Sequence, residues 1–392
     1  MYRWVLVVAL ALIVNASYGA IFYSFSVLLG EGAAAGEFSR ALLSAALGLG
    51  VIVSGLLAPL VGTVCDLYGP RRVILVGAVL GAAGLALFSR AVEGWQVFAV
   101  WALLLGPAMA GTFYEPAYVA IDQWFGELQG RALGVLTLVA GLSVTIFLPL
   151  SQRLVETLGW RGATLWLGGI MLAVAVLLAL FVVRDKPRPE AAKEGPGGAY
   201  RAAARSLGAT DRRFWLVTAS FFLALAATFA MLFHQVAYLQ DLGFSAGRVA
   251  AAAGVVGIVS LPARYVVPAL GDRVSPPLLV SVVFAVLAVS GMALIGAGEW
   301  WRVAIYIALF GTAFGAVLPM RAVVMSRYFG GPLYGRLMGL QQMILALALA
   351  GGPALAGLLR DATGSYSATW ISASVLFAAA VPVMLAAALD RI

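Results

Sequence analysis

The 392-residue sequence predicts an all-α membrane protein, with twelve transmembrane helices in two pseudo-symmetric six-helix bundles. Three observations carry that expectation. The chain is 63% hydrophobic and only 11% charged, whereas a soluble protein carries about a quarter charged residues, so a soluble fold would lack a polar shell. Apolar runs long enough to cross about 30 Å of hydrocarbon as helices recur along the whole length. One long polar stretch, "RDKPRPEAAKEGPGGAYRAAARSLGATDRR" at 184–213, divides those runs into two groups. A membrane barrel would show short alternating segments instead, so helices are the structure that satisfies the backbone in lipid.

The first span, about 4–30, is span-length, lacks a small-residue cleavage site and carries "NASYGAIFYSFS", so it is expected to persist as a helix rather than act as a cleaved signal. The second, about 39–63, follows "EFSR" and runs into "GTVCDLYGPRR"; the third, about 72–89, lies between Arg72 and Arg90. Span four, about 95–121, holds Glu115 and Pro116 and closes at Asp122. Span five, about 132–152, follows "WFGELQGR", and span six, about 161–183, begins at "LGWRG" and ends at the linker. The second half repeats the count at about 214–239, 246–270, 277–297, 300–325, 336–358 and 367–389. The expected organisation is therefore an N-terminal bundle at 1–183, a cytoplasmic linker at 184–213 and a C-terminal bundle at 214–392.

The net charge of +8 is distributed by side. Arg3, Arg71, Arg72, Arg131, Arg273, Arg327, Arg336, Arg391 and the basic residues of the linker fall on one side. Fewer fall opposite: Arg40, Arg90, Arg153, Arg161, Arg248, Arg302 and Arg360. That asymmetry follows the positive-inside rule and places both termini in the cytoplasm, so the basic balance implies a bilayer and no nucleic-acid partner. A single cysteine, Cys65, and a single histidine, His234, leave no material for a disulfide, a cysteine-rich metal site or a Cys/His nucleophile. The chain is expected to be no enzyme, to hold no metal or cofactor, and to act as a monomer.

The two halves echo each other at an offset of about 205 residues. "GTVCDLYGPRR" (62–72) matches the shorter "GDRVSPP" (271–277), each after the second span of its half. "WFGELQGRALG" (124–134) matches "YFGGPLYGRLMG" (328–339), each after the fourth, and Gly106 matches Gly311. Repeated six-helix halves imply a site near mid-membrane and alternating access.

On these residues the chain resembles the major facilitator superfamily. Gly62, Asp66, Gly69, Arg71 and Arg72 fill its loop 2–3 gate signature, and Asp272 with Arg273 form a degenerate second copy. The resemblance implies the major facilitator fold and a role for these residues in holding one gate conformation. "EFSRALLSAALGLGVIVSGLLAPLVGTVCDLYGPRRVIL", "WFGELQGRALGVLTLVAG", "LGWRG" and "YLQDLGFS" further resemble the monocarboxylate transporter group and its bacterial lactate-transporting relatives. The start "MYRW" departs from the group's acidic-Gly-aromatic motif before span 1.

Charges inside spans ask for a reason, because each costs roughly 2.5–3.5 kcal/mol at a helix centre on insertion scales. Arg264 lies eight residues before Asp272, about 12 Å along a helix. Its guanidinium is permanently charged and clasps carboxylates through paired hydrogen bonds. The alternative is a structural ion pair with a buried acid such as Glu115. The resemblance makes Arg264 the substrate-binding arginine, and it leaves Ser260 where animal members carry a proton-linked aspartate. His234, thirty residues earlier, matches a His-then-Arg arrangement of bacterial relatives; it either binds substrate, carries a proton, or packs as a hydrogen-bonded histidine. Glu115 and Arg321 lie at comparable depth in related helices, as gate partners, a proton carrier, or separate local contacts. Tyr23 approximately replaces the group's span-1 lysine, and Tyr18, Tyr114 and Gln341 are further candidate substrate contacts.

The reading is a secondary active transporter moving a small organic monocarboxylate, lactate- or pyruvate-like, with a proton. The absence of a second central cation in "LMGLQQMILALALAGG" argues against a dicarboxylate. Efflux of amphipathic drugs or aromatic acids is the alternative. The expected location is a bacterial or archaeal cytoplasmic membrane.

Overall fold

The computed structural model describes residues 2–30, 37–126, 128–186, 211–296 and 298–389. Most of the expected linker, 187–210, lies outside the described residues. The helices are α1 (Tyr2–Leu28), α2 (Arg40–Tyr68), α3 (Pro70–Phe88), α4 (Gly94–Trp124), α5 (Gln129–Gly141) and α6 (Ser143–Phe181). After the linker come α7 (Arg212–Asp241), α8 (Ala246–Leu270), α9 (Pro276–Leu294), α10 (Trp300–Phe329), α11 (Tyr334–Thr363) and α12 (Ser367–Leu389).

Local chemistry sets several boundaries. Ser39 caps α2 by accepting from the Leu42 N–H at 3.1 Å. Glu93 and Gln96 form a reciprocal capping box at the start of α4. Pro70 and Pro276 open α3 and α9, where a missing N–H leaves no carbonyl unpaired. The segment Gln129–Phe181 is 53 residues long, about 80 Å as a straight helix, more than twice the hydrocarbon thickness. It turns at Gly159, whose φ of 67° and ψ of 170° leave the helix. This one segment therefore crosses twice, and the eleven membrane-length apolar segments of the described residues supply the expected twelve crossings.

The chain folds into two compact units. The first comprises Met1–Gly126, Val135–Ala204 and Phe329–Met343; the second comprises Glu127–Gly134, Arg205–Tyr328 and Ile344–Ile392. Short segments that open α5 and α11 thus belong to the unit of the other sequence half. Within the first unit α3 packs on α6 and α4, α2 on α4, and α1 on α6. Its core includes Phe25, Phe88, Trp101, Phe147 and Trp160. Within the second, α12 packs on α9 and α7, around buried Phe221, Phe284, Trp370 and Phe377. The Phe221 and Phe284 rings meet edge to face at 5.4 Å. Lipid is as apolar as leucine, so close packing and interhelical hydrogen bonds hold such helices together. Exposed Leu56, Val76, Leu103, Phe181, Ile258 and Leu347 offer the apolar surface a bilayer requires.

Two helices depart from regular geometry in the first unit. α1 loosens into a π-helical turn at Tyr18–Tyr23, with Gly19 pressed against α6: a Cβ there would lie 2.1 Å from the Phe147 ring. α4 has a π turn at Trp101–Leu105 and then breaks at Phe113, where φ is −79° and ψ is −150°. Prolines account for both α4 features. Pro107 and Pro116 lack the N–H that would bond four residues back, and their rings crowd that carbonyl. The stretch Tyr114–Trp124 consequently starts as a new half-helix, with Glu115 in its first turn.

Candidate functional site

The gate signature works through backbone as well as side chains. Asp66, buried at the end of α2, accepts from the Gly335 N–H through Oδ1 at 3.0 Å. It accepts from the Arg336 N–H through Oδ2, also at 3.0 Å. These N–H groups belong to the first turn of α11, where unpaired donors and the helix dipole favour a carboxylate. Approach this close requires glycine: a Cβ on Gly62 would lie 1.9 Å from the Gly335 carbonyl oxygen.

In the second unit Asp272 repeats the arrangement on α5. Its Oδ1 accepts from the Gly130 N–H at 2.7 Å, and its Oδ2 from the Arg131 N–H at 3.1 Å. The Arg131 Nε is 3.9 Å away. Burial pushes the Asp272 carboxyl above the usual carboxylate range, against the pull of those two N–H bonds and of the Arg131 and Arg273 charges. The sequence repeat thus pairs crosswise, each acidic loop taking the run after the fourth span of the other half. The sequence marked all four segments but not which segment met which.

Gly69 and Arg71 serve a third contact inside the first unit. Gly69 turns at φ 87°, and the Arg71 N–H donates to Asp185 Oδ1 at 2.9 Å while its guanidinium donates to the Leu180 carbonyl at 3.0 Å. Burial also raises the Asp185 carboxyl, opposed by the Arg71 N–H bond and the nearby arginines. Nothing in the sequence motif pointed to Asp185 as a partner.

Of the mid-span candidates, Arg264, His234 and Arg321 fall in the second unit; Tyr18, Tyr23, Tyr114, Glu115 and Gln341 fall in the first. Arg264 is half-buried on α8, its guanidinium carbon 5.9 Å from the Phe314 ring of α10, a distance at which the ring face attracts a cation. Ser260, one turn earlier, is buried and donates to the Gly257 carbonyl at 2.7 Å. Arg321 is buried on α10.

His234 is tied on both sides. Nε2 lies 3.0 Å from the Pro353 carbonyl and Nδ1 lies 3.3 Å from the Tyr366 hydroxyl. The carbonyl only accepts, so Nε2 carries the hydrogen, and in the neutral ring Nδ1 accepts from Tyr366. The ring links α7 to α11 and to the turn before α12.

The tyrosine candidates gather around the distortions of α1 and α4. Tyr18 stacks on Phe113 at 3.8 Å and lies 5.2 Å from Tyr114 and 6.1 Å from Tyr23. Tyr114 stacks in turn on Tyr118 at 5.5 Å. Tyr18, Tyr23 and Glu115 keep partial exposure within this cluster. Gln341 on α11 is fully buried, and neither atom of its amide has a hydrogen-bond partner among the described residues. A buried amide left open costs about 1–3 kcal/mol, which marks it as a group that would gain from a ligand.

Helices distorted or broken within their spans, cationic and amide groups inside spans, and paired acid-on-helix clasps define a transporter of the repeat-built type. Residues 3–348 match the Major Facilitator Superfamily, and the chain belongs to that family. Among its relatives, monocarboxylate transporter 13 of Rattus norvegicus is 28% identical over 387 residues, covering 98% of this chain and 88% of the relative. Monocarboxylate transporter 4 of the same species is 26% identical over 338 residues, covering 82% and 71%. The Escherichia coli fucose:proton symporter FucP, in a single-residue variant form, superposes with a TM-score of 0.78 at 15% identity, over 99% of this chain and 98% of that one. The human organic anion transporter MFSD10 superposes with a TM-score of 0.73 at 18% identity, over 97% and 99%. The chain is a multi-pass membrane transporter, similar along nearly its whole length to monocarboxylate transporters.

Proposed function

We propose that this transporter moves a small organic monocarboxylate of the lactate or pyruvate class by alternating access, coupled to a proton. The observation that carries the reading is Arg264. It is a permanently charged guanidinium held half-buried in a membrane helix beside the Phe314 ring. A single fixed cation is matched by a single carboxylate, and two hydrogen bonds from the guanidinium orient it. Gln341, whose buried amide is open among the described residues, is a further group that a polar substrate atom would satisfy. Relatives named monocarboxylate transporters support the same class.

For the proton, Glu115 is the favoured carrier. Ser260 has no titratable group, and both ring nitrogens of His234 are engaged in ties between helices. Glu115 keeps partial exposure in the first turn of a half-helix, beside the tyrosine cluster. Transport by Glu115→Gln at the wild-type rate and with the wild-type pH dependence would remove this assignment. The distribution of basic residues supports cytoplasmic termini, on this reading in a bacterial or archaeal inner membrane.

The aromatic cluster of Tyr18, Phe113, Tyr114 and Tyr118 favours a second reading, export of aromatic acids. Uptake of labelled lactate into proteoliposomes, with and without an inward proton gradient, separates the two. Saturable, gradient-stimulated uptake supports the first; no lactate uptake, with transport of an aryl carboxylate, supports the second.

A further inference from the structure

A groove with a volume of about 510 Å³ runs along α2 and α3 in the first unit. It is separate from every residue assigned above to substrate or proton. Its walls are Leu60 and Val64 of α2 and Val76 and Leu80 of α3. Gly77 opens its floor, where a Cβ would lie 2.8 Å from Thr112 on α4. Leu60 and Val76 are 54% and 60% exposed, so the groove opens on the outer apolar surface.

Polar side chains occur at one end alone: the lining residues there are Tyr68 and Arg72, both exposed. From Arg72 to Leu80 the helix rises about 12 Å, close to the depth of one leaflet of a core about 30 Å thick. A basic mouth on an apolar slot one leaflet deep has the polarity of an anionic amphiphile. The neighbouring groups leave Arg72 suited to that role. The Arg71 guanidinium turns to the Leu180 carbonyl, and Asp185, the acid whose field reaches Arg72, accepts the Arg71 N–H.

We propose that this groove is a binding site for an anionic glycerophospholipid, one acyl chain lying between α2 and α3 and the phosphate paired with Arg72. Basic pockets between membrane helices recognise such headgroups through charge, and the slot supplies selectivity for a chain. The site goes beyond the transport reading and does not depend on it.

The test is native mass spectrometry of the detergent-purified full-length protein, titrated with phosphatidylglycerol or phosphatidylcholine of identical chains. Wild type is expected to retain phosphatidylglycerol preferentially. Arg72→Gln is expected to lower that preference about five-fold, the worth of one basic residue at an anionic surface. Arg72→Lys should keep most of it, and Val76→Trp, which fills the slot from its exposed wall, should reduce retention of both lipids. Arg90→Gln, at the far end of α3, should change nothing. Equal retention of the two lipids by wild type, an undiminished preference in Arg72→Gln, or unchanged retention in Val76→Trp would each overturn the proposal. So would displacement of the bound lipid by glycerol phosphate alone, since it would show that the chain contributes nothing.

Discussion

Arg264 carries a cost of a few kcal/mol in a membrane helix, and the Phe314 ring offsets only part of it, about 0.5–2 kcal/mol. On the proposed reading, a substrate carboxylate that comes and goes contributes as well. Arg264→Gln should therefore reduce lactate uptake by at least about a hundred-fold, as loss of a buried charge partner does. Arg264→Lys should also fail, because an ammonium lacks the guanidinium's planar fork. Uptake assays on reconstituted protein of matched incorporation check both, and normal transport by either variant would sink the substrate assignment.

Asp272 offers a second test at this scale. Its carboxyl is raised by burial, so protonation stabilises the folded arrangement. That contribution is complete below the ordinary carboxylate range and is lost as pH rises through the raised value. The thermal midpoint of the wild type, relative to Asp272→Asn, should rise as pH falls through the window just above the ordinary range. A difference that stays flat with pH would contradict it.

Among the elements, the α2–α11 clasp depends on backbone approach as much as on charge. Gly62 has no room for a methyl group, and Asp66 holds two N–H groups of α11. Cys65, the sole cysteine, lies between them and is 1% exposed. Gly62→Leu and Asp66→Ala should each expose this thiol and raise its maleimide labelling rate about ten-fold or more, the population shift given by roughly 1.4 kcal/mol of lost clasp energy. Labelling as slow as wild type would show that the clasp contributes nothing to that packing. The break in α4 belongs to the same scale: a proline, Pro116, stands beside it in the sequence, where a membrane helix could tolerate it, and the structure puts a break at Phe113. The π turn of α1 had no such signal, because no proline marks it and its neighbour Phe147 lies far along the chain.

For the molecule as a whole, the two halves are built to one plan. Gly106 approaches the Gly50 carbonyl on α2 at 2.9 Å from its would-be Cβ, and Gly311 approaches the Val256 carbonyl on α8 at 3.1 Å. The acid clasps follow the same repeat. Charge distribution predicts that both termini face the cytoplasm. Fusions of a periplasm-dependent phosphatase to either terminus should be inactive, and green fluorescent protein fusions at the same positions should fluoresce. An active phosphatase fusion at either end would reverse the proposed topology.

The number of crossings, the two-fold repeat, the gate signature and the presence of a charge inside α8 were all legible in the sequence. Hydropathy and spacing are properties of neighbouring residues, and lipid enforces them locally by forbidding unpaired backbone. Tertiary structure alone decided the partners. Asp66 meets a helix start 269 residues away and Asp272 one 142 residues away. His234 lies against the Pro353 carbonyl of α11, and Tyr18, Tyr23 and Tyr114 converge on one cluster. Such pairings depend on which helix faces pack together, and between apolar helices in lipid that choice rests on shape and a few polar contacts, which hydrophobic pattern does not encode.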